Sequence, residues 1–254
     1  GSEINASGII CVPDASGSFP LLSLQNGTNT LHSNAPSKNP ANPGFKLIQS
    51  MSSFGYIILI PDYLGFGESA QILHPYFHRE SNDASVIDLM YACDEFLINN
   101  EIMAKDNGQL LLMGYSQGGW ATLSALNTLE KDHSLDKEIL AASCGAGAYD
   151  MIEIAGHIFQ LDTYTAPYYL PYFIESHIRN GLLNEPLQKY FNEPYASLIP
   201  GLFDGNHSGG AINDQLADSV KLLLTANLIM NFETATEFQS LREELSMNSV
   251  EAWP

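Results

Sequence analysis

The sequence predicts an α/β fold with a mostly parallel sheet covered by helices on both faces. Short β-branched or leucine-rich runs alternate with helical patterns along the first 150 residues. One serine stands between such a run and a helix, framed by glycines, and the chain carries no internal repeat. In order, residues 6–13 and 19–25 read as strands, and 43–54 as a helix. Tyr56-Ile57-Ile58-Leu59-Ile60 is a β-branched run of the buried kind. A long helix over about 83–98 puts Val86, Leu89, Met90, Cys93 and Leu97 on one face. The run Gln109 to Met113, a helix through Trp120-Ala121-Thr122-Leu123-Ser124-Ala125-Leu126, and a final strand over 139–147 complete the alternation. In such sheets, ligands sit at the carboxyl ends of the strands.

Composition bounds what the chain can do. At 254 residues and 45% hydrophobic content it can bury a full core as one domain with an insertion. A net charge of −19 with only ten Lys and Arg argues against a nucleic-acid partner, because phosphate contacts need clustered cations. That acidity favours a neutral or cationic small substrate without selecting a function. No run approaches the roughly 18 apolar residues of a membrane span. Cys11, Cys93 and Cys144 all lie in apolar runs and are expected as buried free thiols. None has metal-ligand spacing, so no metal is expected.

Gly114-Tyr115-Ser116-Gln117-Gly118 carries the chemistry. A strand, a sharp turn and a helix in that order form the G-x-S-x-G turn that exposes a nucleophilic serine. Such a serine takes positive φ, so small neighbours are required, and Gly114, Gly118 and Gly119 supply them. The turn also aims a helix N-terminus at whatever the serine attacks. Two further segments belong to the same edge. Gln25-Asn26-Gly27-Thr28 ends a strand where backbone N–H groups can meet an oxyanion, although alone it reads as an ordinary Asn-Gly turn. Pro61-Asp62-Tyr63-Leu64-Gly65-Phe66-Gly67-Glu68-Ser69 follows the next buried strand as a glycine-bearing turn.

At these residues the chain resembles the α/β-hydrolases, specifically bacterial lipase-like esterases related to the secretory lipases. Asn26-Gly27-Thr28 stands where that family often has His-Gly-x, so Asn26 is a departure, one expected to alter pocket shape more than mechanism. The resemblance spans residues 6–150 and implies an α/β-hydrolase fold with an inserted helical cap. It also implies Ser116 as nucleophile, with the backbone N–H of Gln117 and that of Thr28 as oxyanion hole. The activity implied is serine-dependent hydrolysis of a small-molecule carboxylic ester through an acyl-enzyme, with neither metal nor organic cofactor required. A secreted, periplasmic or surface-anchored location is favoured by the same resemblance.

The expected domains are residues 3–150 as core, 151–215 as cap, and 216–254 as helices returning to the core. Within the cap, Phe159, Tyr164, Tyr168, Tyr169, Tyr172, Phe173, Tyr190, Phe191 and Tyr195 are expected to roof Ser116. The cap should favour acyl chains or aromatic acids and exclude water. A helix is expected over 211–230. Two other functions compete: a prolyl-type serine peptidase, with Glu153, Glu175, Glu185 or Glu193 binding an amino terminus, and a catalytically dead hydrolase fold used for binding. In this fold the triad runs Ser, then Asp or Glu, then His. No strand and turn after Asp150 suits the last two; His133, His157 and His177 have blander settings, and His207 is the one reserve candidate. The acid and base are therefore expected beyond residue 254.

Overall fold

A computed structural model describes residues 4–132 and 135–250; His133 lies outside them. The described sheet has five strands: β1 (Gly8–Cys11), β2 (Gly17–Gln25), β3 (Ile57–Pro61), β4 (Ala104–Tyr115) and β5 (Glu138–Gly145). Their spatial order is β1-β3-β2-β4-β5, with β1 antiparallel to β3 and the other pairings parallel. The parallel alternation read from the sequence is thus the observed architecture, with an antiparallel strand at one margin.

Pleating explains how one sheet is covered twice. Leu21, Ile57, Leu59, Leu110 and Leu112 bury on one face with Val86, Met90, Cys93 and Leu97 of α2 (Arg79–Asn99). Trp120, Ala121, Ala125 and Leu129 of α3 (Gln117–Asp132) join them. The alternate residues Leu22, Ile58 and Ile60 bury on the other face, against Phe45 and Ile48 of α1 (Pro43–Gln49) and Met51 of the 3₁₀ turn after it. Side chains one apart on a strand point to opposite faces, so continuous apolar runs such as Ile57–Ile60 fit a sheet clad on both sides. β5 is different. It pairs with β4 alone among the described strands, and its residues 140–143 are exposed, Leu140 to 47%.

Several boundaries move. The α2 helix begins at Arg79, four residues before the expected start near 83, because the first turn is polar: Asn82 donates its side-chain amide to the His78 carbonyl. The helix expected over 211–230 breaks into α7 (Gly209–Asn213), α8 (Val220–Leu223) and α9 (Ala226–Asn231). The reason lies in tertiary pairing: Ser219 bridges Thr163 and Leu224 bridges Phe191, both antiparallel, so two points of this segment are extended. Of the three cysteines, Cys93 is buried, whereas Cys11 and Cys144 are only partly so, which corrects the expectation for those two.

The remaining helices are α4 (Met151–Gln160), α5 (Tyr169–Arg179), α6 (Tyr195–Leu202) and α10 (Gln239–Asn248). Asp150 caps α4 by accepting from the Glu153 N–H, which fixes where the chain leaves the sheet. Trp120, wholly buried in α3, donates its indole N–H to the Asn248 carbonyl and ties α10 to the core.

Candidate active site

Ser116 lies at the junction of β4 and α3 with φ +59°. Its N–H donates to the Gly145 carbonyl at 2.8 Å and its carbonyl accepts from Trp120 N–H at 3.1 Å, so both sides of the turn are fixed. The glycines around it have no room for a side chain. A Cβ on Gly114 would lie 2.2 Å from the Gly118 carbonyl oxygen, one on Gly118 1.9 Å from that of Gln25, and one on Gly119 2.2 Å from that of Gly145. The turn therefore wedges between β2 and β5, and only a glycine-framed sequence can make it.

The 26–29 turn approaches from β2. A Cβ on Gly27 would stand 3.4 Å from the Tyr115 carbonyl oxygen and 3.9 Å from Ser116 Cβ. Among the described residues, neither the Thr28 N–H nor the Gln117 N–H has an acceptor. Three tyrosine hydroxyls hold this turn: Tyr63 donates to the Asn26 carbonyl at 2.9 Å, Tyr172 to that of Asn29 at 3.0 Å, and Tyr76 pairs with Thr28 Oγ1 at 2.9 Å. Asn26 itself turns its side chain onto the Gly27 carbonyl.

The loop after β3 is equally constrained. Asp62 accepts from Ser7 Oγ, Ser37 N–H and Ser37 Oγ. Gly65 and Gly67 both have positive φ, and a Cβ on Gly65 would lie 2.3 Å from the His74 backbone. Their glycine identity is thus required by close approach as well as by conformation.

Ser116 opens onto a cavity of about 210 Å³ lined by Tyr76, Phe77, Met151, Ile158, Tyr164 and Tyr169 among others, with no charged residue in its wall. Phe173 and Leu170 also line it, whereas Tyr168 and Tyr172 do not. Tyr172 is fully buried, stacked between Tyr76 at 4.3 Å and Phe203 at 4.8 Å, and Tyr190 and Phe191 are buried away from Ser116. Of the rings expected there, only Tyr164, Tyr169 and Phe173 line the cavity; Tyr172 packs on Tyr76 and bonds Asn29, and Phe159 packs on Phe232.

No described histidine hydrogen-bonds to Ser116 Oγ. His207 pairs instead with Asp204 at 2.9 Å in an exposed loop. His177 is wholly buried on α5, its Nδ1–H donating to the Phe173 carbonyl at 2.9 Å and its Nε2 standing 3.7 Å from Glu244. Burial pushes its pKa down to about 3. His74, which no sequence pattern singled out, is also buried, its pKa pushed down to about 4 by desolvation. Both rings therefore enter the folded state neutral. Their folded pKa values lie below the ordinary 6.5, so the stability they confer is complete above about 6.5 and is lost as pH falls. Each contributes a slope of at most about 1.4 kcal/mol per pH unit. Urea unfolding should show the chain losing stability from pH 7.5 to 5.5, and His177→Leu should shallow that slope even if it lowers stability overall. An unchanged slope would refute the assignment of a neutral His177.

Strand order, helical cladding and a serine at the strand-to-helix turn define an α/β-hydrolase fold. The family model described as "Prolyl oligopeptidase family" matches residues 44–158. Among solved structures, a Legionella pneumophila protein described as a hydrolase superposes with a TM-score of 0.83 at 28% identity, covering 96% of this chain and 65% of that one. The rice cell wall degrading esterase LipA from Xanthomonas oryzae gives 0.82 at 25% identity, covering 98% and 67%. Candida antarctica lipase A shares the fold, with 0.64 at 14% identity over 96% and 56%. This chain thus spans about two thirds of the length of the first two. No curated protein matches by sequence. The chain has an α/β-hydrolase fold, and the structures it is similar to include lipase-like esterases.

Proposed function

We propose that the protein hydrolyses carboxylic esters through Ser116. One observation carries this reading: the serine, held at positive φ, faces an uncharged, aromatic-walled cavity. A base takes the Ser116 proton, Oγ attacks the ester carbonyl, and the N–H groups of Gln117 and Thr28 receive the developing oxyanion. Water then releases the acid by the same route. In this reading the segment from Met151 is a cap that gives the acyl group a dry wall, which strengthens hydrogen bonds to the oxyanion. The base is not assigned to His74, whose two ring nitrogens meet Leu64 and Gln117, nor to His177 or His207, whose Nδ1 atoms pair with Phe173 and Asp204; none of the three hydrogen-bonds to Ser116.

The match to the prolyl oligopeptidase family makes amide cleavage the second reading. An aminopeptidase of that kind needs a carboxylate for the free amino terminus, and the candidates are engaged elsewhere. Glu175 is buried beside Arg179, Glu185 bonds Lys189 and Ser240, and Glu193 bonds Gln188 and Ser197; none of them, nor Glu153, lines the Ser116 cavity. This favours esters. p-Nitrophenyl esters of rising chain length, assayed beside aminoacyl nitroanilides, decide between the two: turnover of the anilides alone would reverse the assignment.

The same series tests the cavity wall. Tyr169→Ala should weaken turnover of longer acyl esters by about 1–3 kcal/mol in kcat/KM while sparing acetyl esters, the size expected of one apolar contact. Equal losses at every chain length would mean that Tyr169 serves packing alone.

A further inference from the structure

We propose that His74 is a positioning residue that locks the two oxyanion-binding turns, 26–29 and 116–118, to one another. The inference rests on the reading of Thr28 and Gln117 as oxyanion donors. Its basis is that one imidazole touches the supports of both. Along its edge, Nδ1 lies 2.7 Å from the Leu64 carbonyl, so Nδ1 carries the hydrogen. The Nε2 lone pair is then left to accept from the Gln117 side-chain Nε2, also at 2.7 Å. Gln117 is wholly buried, so this amide fixes the residue that follows Ser116 and whose backbone N–H is the proposed oxyanion donor.

The ring's faces and rim engage the other turn. Tyr63 stacks on it at 5.5 Å with the planes 13° apart, Phe66 lies tilted at 5.1 Å, and Tyr76 and Tyr172 meet it edge-on at 6.1 Å. Those three tyrosines are the ones whose hydroxyls hold Asn26, Thr28 and Asn29. Displacing the imidazole therefore loosens the anchors of one turn and the side-chain tether of the other together. Few side chains could replace it. Phenylalanine offers flat faces without the in-plane acceptor, and glutamine offers an acceptor without the faces. The acceptor role also needs a neutral ring, which burial enforces, with the pKa near 4.

Oxyanion stabilisation depends on donors fixed before charge develops, and removing one donor outright costs about 10²–10³ in kcat. Loosening rather than removing both should lower kcat by roughly ten- to a hundredfold, with KM changed little, since the ground-state ester gains less from these donors than the transition state. The test compares His74→Phe and His74→Gln with the wild type in three readouts. These are kcat and KM on a p-nitrophenyl ester, inhibition by a trifluoromethyl ketone, and amide hydrogen exchange of the folded proteins. Expected are a kcat loss in His74→Phe with parallel weakening of the ketone, faster exchange in both turns, and partial recovery in His74→Gln through its restored acceptor. Exchange that quickens in one turn only, or a loss confined to KM, overturns the proposal. Should the wild type show no serine-dependent turnover, the ester reading fails, and exchange in the two turns still decides the positioning role. If His74→Phe does not fold, His74→Gln is read by the same criteria: its exchange must lie between wild type and a general loosening, and wild-type exchange with lowered kcat would overturn the coupling.

Discussion

Ser116→Ala is expected to abolish ester turnover while leaving the fold and melting temperature close to those of the wild type. Oγ makes no hydrogen bond within the described structure, so its removal strands no partner. The turn is held by backbone contacts to Gly145 and Trp120 that alanine retains. Positive φ is no easier for alanine than for serine, so strain is unchanged to first order. Loss of a member of a serine catalytic unit costs about 10⁴-fold or more in kcat, leaving only what binding and the oxyanion donors provide. A variant that keeps more than a tenth of wild-type turnover would show that Ser116 is not the nucleophile. Covalent labelling by a fluorophosphonate, seen by intact mass, supplies a second check, and the alanine protein should remain unmodified.

Gly118→Ala should be among the most damaging single-methyl additions at the described glycines. Its Cβ would sit 1.9 Å from the Gln25 carbonyl oxygen, 2.7 Å from the carbonyl carbon, and 2.9 Å from the Asn26 oxygen. All three are backbone atoms, so no side chain can swing away. Relief requires α3 to lift from β2 or the 26–29 turn to shift, and either movement separates the proposed oxyanion donors Thr28 and Gln117. Overpacking of this kind costs about 1–3 kcal/mol where side chains can yield, and more against backbone. The expected result is a fall in unfolding free energy of at least about 3 kcal/mol together with loss of activity. Wild-type stability in this variant would mean that the approach of α3 to β2 is looser than described. Gly156→Ala is the natural control, since nothing lies within 4 Å of its Cβ position.

Much of the fold is legible in the sequence. Pleat periodicity does not distinguish the faces of Ile57–Ile60, yet a continuous apolar run already implies cladding on both sides, and that is what α1 and α2 provide. The glycines around Ser116 were readable because close backbone approach leaves a compositional mark. Helices in the second half were less so. Ser219 and Leu224 sit in an apolar, helix-compatible stretch, and only their long-range bridges to Thr163 and Phe191 make them extended. Aromatic content announced a ring-rich layer but not which ring faces the cavity: Tyr169 and Tyr172 are three residues apart on α5, and packing against Tyr76 and Phe203 buries Tyr172 elsewhere. His74 was invisible for a related reason. Its importance comes from Leu64, Gln117 and three tyrosines converging on it in space, and no local spacing encodes such a meeting.

The acidity of the chain also bears on colloidal behaviour. What opposes association is long-range repulsion between molecules bearing a formal charge of −19. That repulsion is set by ionic strength, reaching only about 10 Å at 0.1 M salt. Solubility of this chain is thus governed less by its apolar content than by the salt in which it is kept.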